Sequence, residues 1–203
     1  MTQIFPSKIT CPICENDFEI YLLASTNQMG APDLDLRPPE MARSTMNTWT
    51  YECPHCSYVS ADFDQTPEIK KEFLESDIYK TCDNLNFKNH LSEVFYRQYL
   101  ISSNVKERFY SLLNCAWACD DAQDEKNAIL MRNMCLDYVD LLDANDDMII
   151  LKADLLRRSN HFDELIKEYS TKSFKEDIYN KICDFQVEKA LKKDSRCYTI
   201  EDV

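Results

Sequence analysis

Four cysteines stand in two matched pairs, Cys11-Pro12-Ile13-Cys14 and Cys53-Pro54-His55-Cys56. Each is a Cys-Pro-x-Cys knuckle, a tight turn in which proline fixes φ and the backbone N–H groups face the sulfurs. Two knuckles together supply four thiolates, enough to close a tetrahedral Zn(II) site with no position left for substrate, so the expected role is structural. Iron takes the same ligand set, and an iron electron carrier stands as an alternative. Redox chemistry at a lone dithiol asks for a helix N-terminus directly after the pair. Here Ser57-Tyr58-Val59-Ser60 follows Cys56 and reads as strand, and Cys11 and Cys14 have no part in such chemistry. Glycine commonly follows the second cysteine of a knuckle because that residue takes φ > 0; Glu15 and Ser57 occupy those places.

To meet, the knuckles must be carried by short strands. β-branched and aromatic residues flank both, over 7–10 and 18–23 around the first and over 48–52 and 58–60 around the second. Between the pairs lie 38 residues, longer than a common zinc-site spacer. Pro32, Pro38 and Pro39 forbid regular structure through most of that spacer. It also holds the densest polar group of the N-terminal region, Asp33, Asp35, Arg37 and Arg43. One expectation is a loop pinned by its own Asp–Arg pairs. The other is a site for a ligand or partner, in which Arg37 and Arg43 take an anionic group and Asp33 and Asp35 flank it.

Beyond about residue 62 the pattern is helical. Thr66-Pro67-Glu68 has the form of a helix start. Apolar spacing then predicts helices around 91–99, 104–121, 124–144, from 146 to a stop at Asn160, and over 161–170 and 174–192. Two hairpins look related. Ala116 and Ala128 face each other across a turn at Gln123-Asp124, and Ala153 and Leu165 across one at Asn160-His161. Ala116 and Ala153 are 37 residues apart, near the period of tetratricopeptide repeats, and small residues suit closely packed helix pairs. Asp120 and Asp121 end a predicted helix, where the dipole disfavours them, so either a cation offsets them or they have a function. Cys115, Cys119 and Cys135 are expected as small core residues.

Composition narrows the function. The net charge is −13, with 3 basic and 7 acidic side chains in residues 1–60, which argues against nucleic-acid binding. A single glycine, Gly30, excludes glycine-rich nucleotide loops. No apolar run is long enough to span a membrane. The N-terminal residues lack the pattern of a signal peptide, and ten cysteines then point to a reducing, cytoplasmic setting.

Taken together, Cys-Pro-Ile-Cys, Asp-Leu-Asp-Leu-Arg-Pro-Pro-Glu-Met, Tyr-Glu-Cys-Pro-His-Cys-Ser-Tyr, Ala-Trp-Ala-Cys-Asp-Asp and Ala-Asp-Leu-Leu-Arg-Arg resemble an uncharacterised bacterial family. Its members join an N-terminal Cys-Pro-x-Cys ribbon to tetratricopeptide-like helices, and the resemblance implies no activity. The expected fold is mainly α with a small β zinc ribbon: a metal-binding module over 1–62 and a tetratricopeptide-like helical domain over 63–203. Cys11, Cys14, Cys53 and Cys56 are the expected ligands of Zn(II), with iron as the alternative metal. The expected function is a non-enzymatic adaptor that takes a protein or peptide partner in its helical groove. The alternatives are an enzyme with a site between ribbon and helices, drawing on Arg37, Arg43, Asp120 and Asp121, and a rubredoxin-like carrier.

Overall fold

A computed structural model describes residues 2–203. The chain opens on an antiparallel hairpin, β1 (Gln3–Thr10) and β2 (Asp17–Ser25), wrapped around the first knuckle. Register runs out from Thr10 opposite Asp17, where the Thr10 hydroxyl donates to the Asp17 carboxylate at 2.7 Å. A shorter hairpin, β3 (Tyr51–Glu52) and β4 (Val59–Ser60), carries the second knuckle. The long hairpin is only lightly covered, with Ile4, Phe5 and Tyr21 each about half exposed.

The two knuckles are built alike. In the first, Cys11 N–H donates to the Asn16 carbonyl and Glu15 N–H to the Cys11 carbonyl, both at 2.9 Å. In the second, Cys53 N–H donates to Tyr58 at 2.7 Å and Ser57 N–H to Cys53 at 2.9 Å. Glu15 and Ser57 sit at φ 60° and 59°, in the left-handed region usually left to glycine. The turn geometry thus persists without glycine.

The spacer contains α1 (Glu40–Arg43) and a 3₁₀ turn (Met46–Thr48). Then follow α2 (Lys71–Leu74), α3 (Asp77–Asn84), α4 (His90–Ile101), α5 (Val105–Asp121), α6 (Glu125–Val139), α7 (Asp146–Arg158), α8 (Phe162–Tyr169) and α9 (Asp177–Leu191). Asparagine caps three of them: the Asn89, Asn104 and Asn145 side chains accept from the first-turn N–H groups of α4, α5 and α7. Helices α4, α5 and α6 enclose one core built on Phe95, Phe109, Leu112, Leu113, Met131 and Cys135. Helices α7, α8 and α9 enclose a second around Ile150, Leu156, Leu165, Tyr169 and Ile182. The turns of the two predicted hairpins repeat the same bonds. Gln123 and Asn160 take φ 54° and 68°, while Asp124 N–H donates to Cys119 and His161 N–H to Leu156, both at 2.8 Å. Ala116, Ala128, Ala153 and Leu165 are all buried at these helix contacts.

Three helix boundaries differ from those read in the sequence. The chain does not turn helical at Thr66-Pro67-Glu68; helix begins at Lys71. Side-chain-to-backbone bonds among Ser60, Asp62 and Asp64 hold the preceding turn, and Ile69 reaches into the ribbon core instead of lying on a helix face. The fourth predicted helix stops at Val139 rather than near 144, because Asp140 and Asp143 meet the negative end of the dipole and Leu141 finds no cover. The last begins at Asp177, not 174, because the Asn180 side chain both accepts from Phe174 N–H and donates to its carbonyl, holding a loop there.

A third core joins ribbon to helices. Phe63 meets Phe18 and Tyr58 edge-on at 5.2 and 5.5 Å, while Leu74 and Tyr79 pack beside them. The Tyr79 hydroxyl donates to the Ser57 carbonyl, and Arg97 of α4 pairs with Glu52 at 2.9 Å. Gly30 sits at φ 108°, a conformation outside even the left-handed well, and a Cβ there would lie 3.3 Å from the Pro39 Cβ. Gly30→Ala is therefore expected to destabilise the protein by about 1–3 kcal/mol in denaturant unfolding, with metal content unchanged.

Candidate metal centre and buried charge network

The knuckles face each other and bring the four sulfurs of Cys11, Cys14, Cys53 and Cys56 within 4.8 Å of one another. The cross-knuckle distances Cys11–Cys56 and Cys14–Cys53 are both 3.6 Å. That is far beyond a disulfide bond. It is close to the edge of a thiolate tetrahedron around zinc, about 3.8 Å for Zn–S bonds of 2.3 Å. Cys11 and Cys53 are fully buried, Cys14 and Cys56 partly so. Burial pushes the Cys53 and Cys56 thiols up in pKa. At Cys14 burial acts the same way but is outweighed by hydrogen bonds from Asn16 and the neighbouring thiols, which bring it to about 6. The donor set is all sulfur and self-enclosed. It fits a soft, tetrahedral metal and leaves no protein position open for a substrate.

The spacer residues have a different fate. Asp35 is fully buried. Its Oδ2 accepts from Arg158 at 2.7 Å, from Trp117 Nε1 at 2.8 Å and from Arg132 at 3.5 Å. Arg132 turns both terminal nitrogens onto Asp120, at 3.0 and 2.5 Å, and Arg158 adds a third contact to it at 2.7 Å. Arg37 pairs with Asp121 at 2.5 Å and is itself buried. Three carboxylates thus meet three guanidiniums, drawn from the spacer and from α5, α6 and α7. Asp33 takes Arg43 at 2.7 Å, with burial pushing its carboxyl up against the pull of that partner. The C-terminal segment covers the spacer: Leu34 N–H donates to Tyr198 at 2.9 Å and Ile200 N–H to Pro32 at 3.1 Å.

The candidate site residues therefore fall into two groups. The four cysteines converge. Arg37, Arg43, Asp33 and Asp35 do not converge on one open site; each is committed to an internal partner, and only Arg43 with Asp33 forms a pair within the spacer itself. The cation that Asp120 and Asp121 demanded is present, supplied to the one by Arg132 and Arg158 and to the other by Arg37. Sequence reading missed Arg132, Arg158 and Trp117. The unfavourable acid pair at the end of α5 was the signal that partners had to exist. A second buried group, also missed, holds Arg157 between Asp154 at 2.6 Å and the Asp194 and Arg196 carbonyls at 2.9 and 2.7 Å. Cys115 and Cys119 donate to the Ser92 carbonyl and hydroxyl, and among the described residues no second group of metal-ligating side chains occurs. No helix is long and apolar enough to cross a membrane.

No family model, curated protein or solved structure matches the chain.

The charge network has a pH signature. Asp120 pays for burial, but Arg132 and Arg158 outweigh it and hold its pKa below the ordinary 3.8. A carboxyl depressed in the folded state contributes stability that is complete above its unfolded pKa and lost as pH falls through the folded value. Wild-type protein should therefore lose stability below about pH 4, whereas Asp120→Asn should be about 3–5 kcal/mol less stable at pH 7 and show less of that acid dependence. Urea unfolding at pH 7 and pH 3 measures both.

Proposed function

We propose that Cys11, Cys14, Cys53 and Cys56 bind one Zn(II) as a closed structural site in a non-enzymatic adaptor, whose helices present an acidic surface to a protein or peptide partner. The arrangement of the four sulfurs carries this reading. When bound, the metal ties the two knuckles together and contributes folding free energy on the order of 10 kcal/mol. The chain's own residues do the rest. Asn16 and the knuckle N–H groups favour thiolate at the sulfurs, and Phe18, Tyr58 and Phe63 keep water from the cluster's flank. The repeated turns at Gln123 and Asn160, with the buried alanines, support a tetratricopeptide-like assignment for α5 to α8, with α9 closing the stack. Membership of the bacterial ribbon-and-repeat family, and a cytoplasmic setting, belong to the same proposal. Against an enzyme drawing on Arg37, Arg43, Asp120 and Asp121 stands their pairing, Arg37 with Asp121, Arg43 with Asp33 and Asp120 with Arg132 and Arg158, which leaves none poised for proton transfer or nucleophilic attack.

Purified protein is expected to be colourless and to carry one zinc per chain by elemental analysis. Red protein with visible charge-transfer absorbance and stoichiometric iron would instead place it with rubredoxin-like carriers. Because all four thiols must lose their protons to ligate, zinc affinity should fall as pH drops from 8 to 6. Cys14→Ser or Cys56→Ser should abolish stoichiometric zinc while α5 to α9 keep their helical circular dichroism.

A further inference from the structure

A cleft of about 330 Å³ opens along the seam between the second knuckle's hairpin, the 61–69 segment and helices α4 and α5. Its chemistry is one-sided. Asp62, Glu68 and Glu107 stand at its walls, and no Lys, Arg or His lines it. None of the three carboxylates lies within 4.0 Å of a basic nitrogen among the described residues. All three are exposed at the cleft's rim; Asp62 accepts from Asp64 N–H and Gln65 Nε2 at 3.0 and 3.1 Å, and Glu68 accepts from the Ser103 hydroxyl at 2.5 Å. Here negative charge is left over beside aromatic surface: Trp49, Tyr58 and Tyr110 complete the lining. Trp49 is braced edge-on by Trp117, with ring centroids 6.5 Å apart.

Aromatic faces beside carboxylates that have no cationic partner are the surroundings that a guanidinium prefers, stacking on the ring while its N–H fork reaches the acids. The volume lies at the low end for ligand pockets and suits one long side chain with its stem. An anionic ligand is excluded by charge. We propose that this cleft receives an arginine side chain from a basic, extended segment of a partner protein. This rests on the adaptor reading and names the chemistry of the partner it would take. Binding places the guanidinium between Glu68 and Glu107 and lays the aliphatic stem along Trp49 and Tyr110. The ribbon contributes Trp49 and Tyr58 and the helices contribute Glu107 and Tyr110, so the cleft is complete only when the two are docked.

The test uses the full zinc-loaded chain, titrated with a capped peptide of alternating Arg and Ser and with its Lys–Ser and Gln–Ser counterparts. Calorimetry and the combined fluorescence of Trp49 and Trp117 report binding. The Arg–Ser peptide should bind tighter than both others. Glu68→Gln with Glu107→Gln should weaken it about tenfold or more, while Glu72→Gln with Glu75→Gln, exposed acids of α2 and its C-terminal end, should change it less than about twofold. Equal loss in both double variants would reduce the effect to diffuse charge and overturn the proposal. So would equal binding of the Gln–Ser peptide, or displacement of the Arg–Ser peptide by spermidine or Ca²⁺ at comparable concentrations. A cross-linked partner protein held equally by wild type and Glu68→Gln/Glu107→Gln would overturn the cleft assignment while leaving the adaptor reading standing. Arg–Ser binding at the cleft with no protein partner found would do the reverse.

Discussion

A carboxylate with no exposure to water persists only if its charge is matched where it lies, and Asp35 is matched from three helices at once. Arg158 of α7, Arg132 of α6 and Trp117 of α5 all end on one oxygen. Because Asp35 belongs to the chain between the two cysteine pairs, this contact fixes where the ribbon can stand on the helices. Asp120, Asp121 and Arg37 then balance the group to equal numbers of positive and negative charges. Arg132 and Arg158 each touch both Asp35 and Asp120, so these four behave as a unit rather than as separate bridges, with Arg37 and Asp121 as a pair beside them.

The two ends of this N-terminal region are each secured by a many-centred polar tie, added to the small apolar core around Phe63 and Tyr79. So small a ribbon cannot bury enough hydrophobic surface to stand alone. Four sulfurs converge at one end, three guanidiniums and three carboxylates at the other. The price is local strain: Glu15, Leu36 and Ser57 are held at φ near +60° without being glycine. The C-terminal segment lies over the spacer through Tyr198 and Ile200, so residues far apart in sequence close the same joint.

Much of this was legible from residue order. Cysteine spacing located the knuckles, and the helices from α4 onward followed from apolar spacing, because their cores are built from contacts local enough to leave a period. Where a boundary depended on a distant partner the pattern misled: Thr66-Pro67 has the chemistry of a helix start, but Ile69 is drawn to the ribbon core. Absent glycines after the knuckles argued against a turn that formed regardless, since the hydrogen bonds around Cys11 and Cys53 hold the left-handed residue in place. The charge network was half visible. An acid pair at a helix end signals a missing cation, but an arginine on an amphipathic helix looks the same whether it faces water, as most do, or a buried aspartate, as Arg132 does.

The most direct test of Asp35 as the anchor is amide hydrogen exchange on zinc-loaded Asp35→Asn protein beside wild type. The N–H groups of Leu34, Leu36 and Ile200, all bonded within the spacer and its C-terminal cover, should exchange faster by on the order of 100-fold. Those of Cys11, Glu15, Cys53 and Ser57 in the knuckles should keep their protection. Wild-type exchange at Leu34, Leu36 and Ile200 in the variant would contradict the account.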